Sequence, residues 1–493
     1  PNPSRFSLEV DGEEYAVDVF EGSQRFEVEL SSGTHRLEFS VRGHQDGYYL
    51  WGAPSLRPAR PGGAGSGVVV TMDTTRWDAL SLHGGAAPAS PNIAKLAERA
   101  TVFDNAWSTS PWTLPSHASI FTGLYPSHHG AGVTDPRLDR RFVTLAEIFR
   151  RAGYRTAGFA GGELSASHWG VAQGFEMYRD PEGFETRGDR LTDAVQLFLD
   201  RTGREPFFLF VNYFDPHGLY RAPEAFEELF GVAELRKDIQ DAPLWGELSR
   251  GDSRVWRNII AGEAEVTADA VAYLRAAYLA EVAFMDHQIG RLVEWLEDQR
   301  LFDAATIVLV ADHGEFLGEN GFFSHACRLE PELTRIPLII KWPNQQLPRR
   351  ESALVSQVDL FVTLAAIADP SVSAGDGLVL ADALPTELLQ RNTVFMEEHE
   401  MRIHPLFDNM RIAPSIFGIQ QPSFRQVVWR GGSSCYRPRG TDWIEAGCEI
   451  DWRERMEQLQ AFIDHPIGDR GPADDGGLSD EMRRRLEALG YVQ

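Results

Sequence analysis

The sequence predicts an α/β protein with a mostly parallel central sheet sandwiched by helices, and three observations carry that reading. Short apolar runs without polar alternation, GVVVTMD (67–73), PFFLFVNYFDPH (206–217) and ATIVLVADHG (305–314), read as strands buried on both faces. Stretches with apolar residues at helical spacing separate them, which is the order that produces a parallel sheet covered by helices. Each run ends in Asp or His, at the sheet edge where ligands collect: Asp73, then Asp215-Pro216-His217, then Asp312-His313.

The remaining elements follow in chain order. Phe6, Leu8 and Val10 alternate with polar residues, and Asp11-Gly12 supplies a turn. Tyr15, Val17 and Val19 repeat the period of two, as do Phe26, Val28 and Leu30, then Leu37, Phe39 and Val41. This predicts a small N-terminal antiparallel β domain over residues 1–60, with a Pro/Gly-rich linker over 61–67. Ser90-Pro91 marks a helix start, with Ser as N-cap and Pro in the first turn. Residues 144–152 and 268–299 read as helices, and 154–160 as a strand. The expected organisation is a main α/β domain over 68–375 and a smaller C-terminal subdomain over 376–493 packed on it. Lys341 follows an apolar run and reads as a solvated strand end.

Charge and composition narrow the function. The chain has 493 residues, enough for two to four domains, and acidic residues exceed basic ones by 72 to 47. A net charge of −25 repels nucleic acid, so no nucleic-acid partner is expected. No run approaches the roughly 20 apolar residues of a membrane span. The chain begins at Pro1, which is compatible with a removed targeting segment, so periplasmic, extracellular and cytoplasmic placements all stay open. Of the three Cys, Cys435 and Cys448 share one segment and can pair, leaving Cys327. Oligomeric state is not legible.

The densest chemistry lies in SPWTLPSHASIFTGLYPSHHG (110–130). Ser, Thr and His cluster just before ASIFTGL, which reads as a helix. A hydroxyl at a helix start faces unpaired N–H groups and the positive end of the dipole, a setting that suits an anionic substrate and a nucleophile. Thr113 or Ser116 as a simple N-cap is the equal alternative. Asp and His at three strand ends make a divalent metal site the leading idea.

This segment resembles the nucleophile region of the alkaline phosphatase superfamily, in its sulfatase and nucleotide pyrophosphatase/phosphodiesterase branches. Sulfatases show Cys-x-Pro-Ser-Arg, then Thr-Gly after four residues, then Tyr-Pro and His-Gly. Here the string is Thr113-Leu114-Pro115-Ser116-His117, then Thr122-Gly123, Tyr125-Pro126 and His129-Gly130. Thr113, Pro115 and His117 match the phosphodiesterase variant. MDTTRWDALSLHG, TLAEIFRRAGYRTAGF, FVNYFDPHGLY, YLAEVAFMDHQIGRL, VADHGEFLGENG and ELTRIPLIIKWP are similar to further blocks of the family. The resemblance runs from Val68 to the C-terminus, is loosest over 371–471, and leaves out the first 60 residues.

The resemblance implies a metal-dependent hydrolase. Asp73, Asp312 and His313 would be ligands of one divalent ion (Ca, Mg, Mn or Zn), with Thr113 oxygen completing the site. A second ion would draw on Asp215 and His217. Thr113 would be the nucleophile, forming a covalent intermediate that water hydrolyses. His217 would contact substrate oxygens or protonate the leaving group, and Ser116 would help bind substrate. His325 stands where sulfatases carry a Lys, His117 where they carry an Arg, and Thr74 where they carry a second Asp. Thr113 cannot become the formylglycine of sulfatases, which points to phosphate mono- or diesters or phosphonate esters of small molecules, glycans or lipids. The alternatives are a transferase passing the group to an alcohol or glycan, a sulfate ester hydrolase, and a non-catalytic glycan- or partner-binding relative.

Overall fold

The computed structural model describes residues 4–19, 28, 30, 34–42 and 65–446, apart from 133–136, 203–204, 240–265, 326–327, 382–387, 389–390, 392, 399–415, 422–423, 430–431 and 440–441. The chain divides into two compact units, Pro1–Pro61 and Gly62–Gln493. In the first, β1 (Ser4–Val10) pairs antiparallel with β2 (Glu13–Val19) and β3 (Leu37–Arg42). The β1–β2 turn is Asp11-Gly12, both at positive φ, and the Asp11 carboxylate accepts the Arg36 amide at 2.8 Å. The strand expected over 26–30 falls largely outside the described residues.

The second unit is α/β. Its strands are β4 (Gly67–Met72), β5 (Thr101–Trp107), β6 (Arg155–Ala160), β7 (Met177–Arg179), β8 (Phe207–Tyr213), β9 (Thr306–Val310), a short hairpin of β10 (Phe316–Leu317) and β11 (Phe323–Ser324), then β12 (Arg335–Lys341), β13 (Arg349–Glu351) and β14 (Val355–Ser356). The central sheet runs β13-β5-β12-β9-β4-β8-β6-β7, with β14 also on β5. Its pairs are parallel except those of β12, which is antiparallel to β5 and β9.

The missing alternation in the apolar runs has a direct cause. Val68, Val70 and Met72 feed one core while Val69 feeds the other. Leu209 and Val211 likewise oppose Phe208 and Phe210, and Ile307 and Leu309 oppose Val308 and Val310. The helices Gly188–Thr202 and Ala268–Asp298 close the first face; Leu145–Arg151 and Asp359–Ala368 close the second. Among the described residues no helix is long and apolar enough to cross a membrane.

Two local expectations change on folding. Ser90 occupies the N-cap position of helix Pro91–Ala97, but its hydroxyl accepts the Ser81 amide at 2.8 Å instead of capping. The helix start is capped from the long helix: the Asp286 carboxylate accepts Asn92 N, Asn92 Nδ2 and Ile93 N at 3.0, 2.7 and 2.7 Å. Lys341 is a correction. It is fully buried, not solvated, and its ammonium donates to the carbonyls of Phe302, Asp303 and Ala305 at 2.5, 2.7 and 3.1 Å. Three carbonyls crossing the strand end satisfy all three donors, so the charge needs no water.

The antiparallel meander β15 (Val394–Glu398), β16 (Ile416–Gln421), β17 (Phe424–Trp429), β18 (Gly432–Arg439) and β19 (Asp442–Ala446) forms a separate sheet. It meets the loop that precedes Thr113 through β15. Glu397 N donates to Thr109 O at 2.8 Å, and the Glu397 carboxylate accepts the Ser127 amide and hydroxyl. Cys435 is disulfide-bonded, and Cys448 lies outside the described residues.

Asp286→Ala removes three hydrogen bonds from a buried helix start. The expected loss is about 2–3 kcal/mol of unfolding free energy, read from the urea midpoint at unchanged slope.

Candidate active site

Asp73 follows β4 directly, and Asp312 and His313 lie two and three residues beyond β9. These strands are parallel neighbours with Thr71 opposite Val310, so the three side chains emerge together at the carboxyl edge of the sheet. All three are buried, and one ligand atom of each lies within 4.8 Å of the others. Each residue has one polar atom committed to the protein. Asp73 Oδ2 accepts Asn212 Nδ2 at 3.1 Å, and Asp312 Oδ1 accepts the amides of Thr74 and His313 at 3.2 and 2.8 Å. His313 Nδ1 lies 2.9 Å from Gly314 O, which only accepts, so the ring proton sits on Nδ1 and Nε2 carries the lone pair.

What remains is Asp73 Oδ1 and Asp312 Oδ2, both buried without a hydrogen-bond partner, and the Nε2 lone pair of His313. Burial first, and the Asp312 charge second, push the Asp73 carboxyl well above the ordinary carboxylate range. Two buried like charges with unpaired oxygens are costly alone, and a divalent cation removes that cost. Oxygen and imidazole donors in this number fit such an ion.

Thr113 reaches the same edge from β5. The helix expected from Ala118 starts five residues earlier, at Thr113, and runs to Thr122. Pro115 fits because the first turn of a helix has no carbonyl for its missing N–H. Trp112 therefore holds the N-cap position, and neither Thr113 nor Ser116 does. Thr113 Oγ1 lies 3.4 Å from His313 Nε2, and the Ser116 hydroxyl donates to Ser110 O at 3.0 Å, tightening the loop. Gln357 fixes the loop against the strand end that carries Asp312. Its Nε2 donates to Ala311 O and Asp312 O at 3.0 and 2.8 Å, and its Oε1 accepts the Thr109 amide at 3.0 Å.

Four imidazoles surround this edge. His117 Nε2 lies 3.7 Å from Asp312 Oδ2, and the ring meets Phe210 edge to face. Neither ring nitrogen has a hydrogen-bond partner, and burial lowers His117 to about 4. His217 stacks on Phe214 at 4.2 Å and holds its Nδ1 proton against Gly218 O at 2.7 Å. His325 lies with its centroid 5.0 Å from His217 and 4.5 Å from His313, and its Nδ1 faces Glu315 Oε1 at 3.1 Å. Burial lowers His217 to about 3 and His325 to about 4, so both are neutral at pH 7. It raises Glu315 to about 7.

Asp215 stays apart. Its carboxylate accepts the Gly188 amide at 2.8 Å at the start of a helix, and the only such cluster among the described residues is Asp73, Asp312 and His313. Thr74, a β-branched residue at φ 51°, contributes its amide to Asp312, while its hydroxyl has no partner. His128 and His129 serve the scaffold, against Asp376 and against Ser119 with Pro115 O. Sequence reasoning missed Asn212, Glu315 and Gln357. Asn212 carried a signal, as the one amide within an otherwise apolar strand.

A sulfatase family model matches residues 67–370. The chain belongs to the sulfatase family. Family members are metal-dependent ester hydrolases, and this chain is an ester-hydrolysing enzyme of that family. It is 25% identical over 377 residues to the uncharacterized sulfatase YidJ of Escherichia coli, spanning 67% of this chain and 73% of that protein. It is 26% identical over 446 residues to the choline-sulfatase of Rhizobium meliloti, spanning 79% and 80%. Its fold matches the crystal structure of the phosphonate monoester hydrolase of Agrobacterium radiobacter with a TM-score of 0.64 at 20% identity, covering 81% of this chain and 96% of that one.

The carboxylate pair makes a prediction whose sign depends on the ion. In chelator-treated sulfatase-family chain, Asp312→Asn removes a like charge from Asp73 and raises the melting temperature by a few degrees. With Mn²⁺ at about 100 times its Kd the order reverses, because the unsubstituted protein gains about 2.7 kcal/mol and the variant little. Differential scanning calorimetry with and without the ion reads both halves.

Proposed function

We propose that this enzyme hydrolyses phosphate mono- or diesters or phosphonate esters through a covalent Thr113 intermediate, with one divalent cation (Ca, Mg, Mn or Zn) held by Asp73, Asp312 and His313. The observation that carries this reading is the Thr113 hydroxyl, at a helix start and 3.4 Å from the lone pair of His313 Nε2. A cation there, when bound, offsets charge on the transferring group and eases loss of a hydroxyl proton. The relatives' names span sulfate esters and phosphonate monoesters. Thr113 favours the phosphorus side of that range. Its Cβ carries a methyl group, so it cannot become the aldehyde hydrate on which formylglycine sulfatases depend.

The chain's own groups then divide the work. Thr113 Oγ bonds to phosphorus as the bond to the leaving oxygen breaks. Its proton is lost to water, and the leaving oxygen, on the opposite face of phosphorus, takes one from water relayed by the neutral ring of His325, which Glu315 orients. A water then adds to phosphorus from that face and gives its proton to the same ring, while Thr113 Oγ leaves and regains a proton from water. His217, neutral and fixed by Phe214 and Gly218, orients substrate oxygens. His117 backs Asp312 from the apolar side and Ser116 holds the loop, so both act on the geometry of the site.

The test is turnover of aryl phosphate, phosphodiester, phosphonate and sulfate esters. Thr113→Ala lowers kcat by about 10³-fold or more on every substrate that the unsubstituted enzyme turns over. Near-normal activity of Thr113→Ala together with loss in Ser116→Ala would move the nucleophile to Ser116. Turnover of sulfate esters alone would overturn the substrate class.

A further inference from the structure

We propose that Asn212 is a positioning residue for the metal-binding carboxylate of Asp73, tying it to the Gly161-Gly162 turn on the far side of β8. The proposal rests on the cation site described above. Asn212 is fully buried in β8, between β4, which Asp73 directly follows, and β6, which leads into that turn.

The orientation of its amide follows from its neighbours. On one side stand two donors, the amides of Gly161 and Gly162, each at 3.3 Å; the Ser165 hydroxyl lies beside them at 2.9 Å and shares its one proton with Gly162 O at 2.7 Å. Only the side-chain oxygen accepts, so Oδ1 faces them. On the other side stand two oxygens, Thr71 Oγ1 at 3.2 Å and Asp73 Oδ2 at 3.1 Å, and Nδ2 has two protons for them. One flip state meets the two backbone donors and the two acceptors together, and the reverse flip would set the Nδ2 protons against the two glycine amides.

This fixes which carboxylate oxygen meets the ion. Asp73 Oδ2 is committed to Asn212, and Oδ1 is the oxygen without a partner, turned to the cluster with Asp312 and His313. Without the amide donor, a carboxylate beside a second buried carboxylate rotates freely about its last torsion, and part of the ion's binding energy goes into fixing it. The turn on the other side is equally constrained. A Cβ on Gly161 would lie 2.3 Å from Asn212 O, and one on Gly162 would lie 2.2 Å from the Phe214 ring. The turn therefore presses on β8 with no side chain between, and Asn212 transmits its position to the ligand. No other amide side chain among the described residues touches either carboxylate oxygen of Asp73 in this way, and the ligand on β9 is held by backbone amides instead.

The experiment is calorimetric titration of Mn²⁺, and separately Ca²⁺, into the chelator-treated full chain, with the melting temperature of the ion-free protein measured alongside. Asn212→Ala is expected to bind about 10–100-fold more weakly than the unsubstituted chain. Asn212→Ser, which keeps a polar atom near the glycine amides but is too short to reach Asp73, is expected to show the same loss and serves if the alanine variant does not fold. Ser165→Ala removes a contact of Oδ1 and none of Asp73, and its affinity is expected to stay within about twofold. Unchanged affinity in both Asn212 variants, or an equal loss in Ser165→Ala that tracks the ion-free melting temperature, would reduce Asn212 to a scaffold residue. If neither ion binds the unsubstituted chain, the cation site itself fails, an outcome distinct from the first two.

Discussion

Two buried carboxylates at neighbouring strand ends, each with one oxygen held by the protein and one left without a donor, set the terms for this site. Parallel pairing of β4 and β9 brings Asp73 and Asp312 to the same edge, and burial denies them water. Such a pair persists only with a counter-charge or with a proton on one member. The surroundings are consistent with a cation in that role. His313 presents a lone pair because Gly314 holds its other nitrogen. His117, His217 and His325 are neutral through burial, so they add no positive charge that would compete with an ion.

Thr113 is placed by the same edge but by different bonds. Gln357 joins the backbone at Asp312 to the loop before Thr113, and β15 joins that loop to the C-terminal sheet through Glu397 and Thr109. The meander is thus tied by a backbone hydrogen bond to the loop that leads to Thr113. On the opposite flank Asn212 links Asp73 to β6. Two amide side chains and one backbone hydrogen bond, from three segments, thus hold the site, while the sheet supplies the stiffness.

Much of this was legible in the sequence, for identifiable reasons. Buried parallel strands lose polar alternation, so GVVVTMD and ATIVLVADHG declared themselves, and their terminal Asp and His residues marked the site. Asp73, Asp312, His313 and Thr113 do converge. What stayed hidden depends on contacts between distant segments. Asp286 caps a helix start that Ser90 was expected to cap, and Lys341 finds three carbonyls that no local pattern announces. Gln357 and Asn212 act on neighbours that only the sheet order brings near. The helix read from Ala118 starts at Thr113, since a first turn tolerates Pro115.

The central claim is that one cation joins Asp73, Asp312 and His313. Crystals soaked in Mn²⁺ and measured for anomalous scattering test it most directly. The account predicts a single strong peak about 2.0–2.4 Å from Asp73 Oδ1, Asp312 Oδ2 and His313 Nε2, with Thr113 Oγ1 at similar range. No peak at these atoms, with the two carboxylates instead sharing a proton or a water, would contradict it.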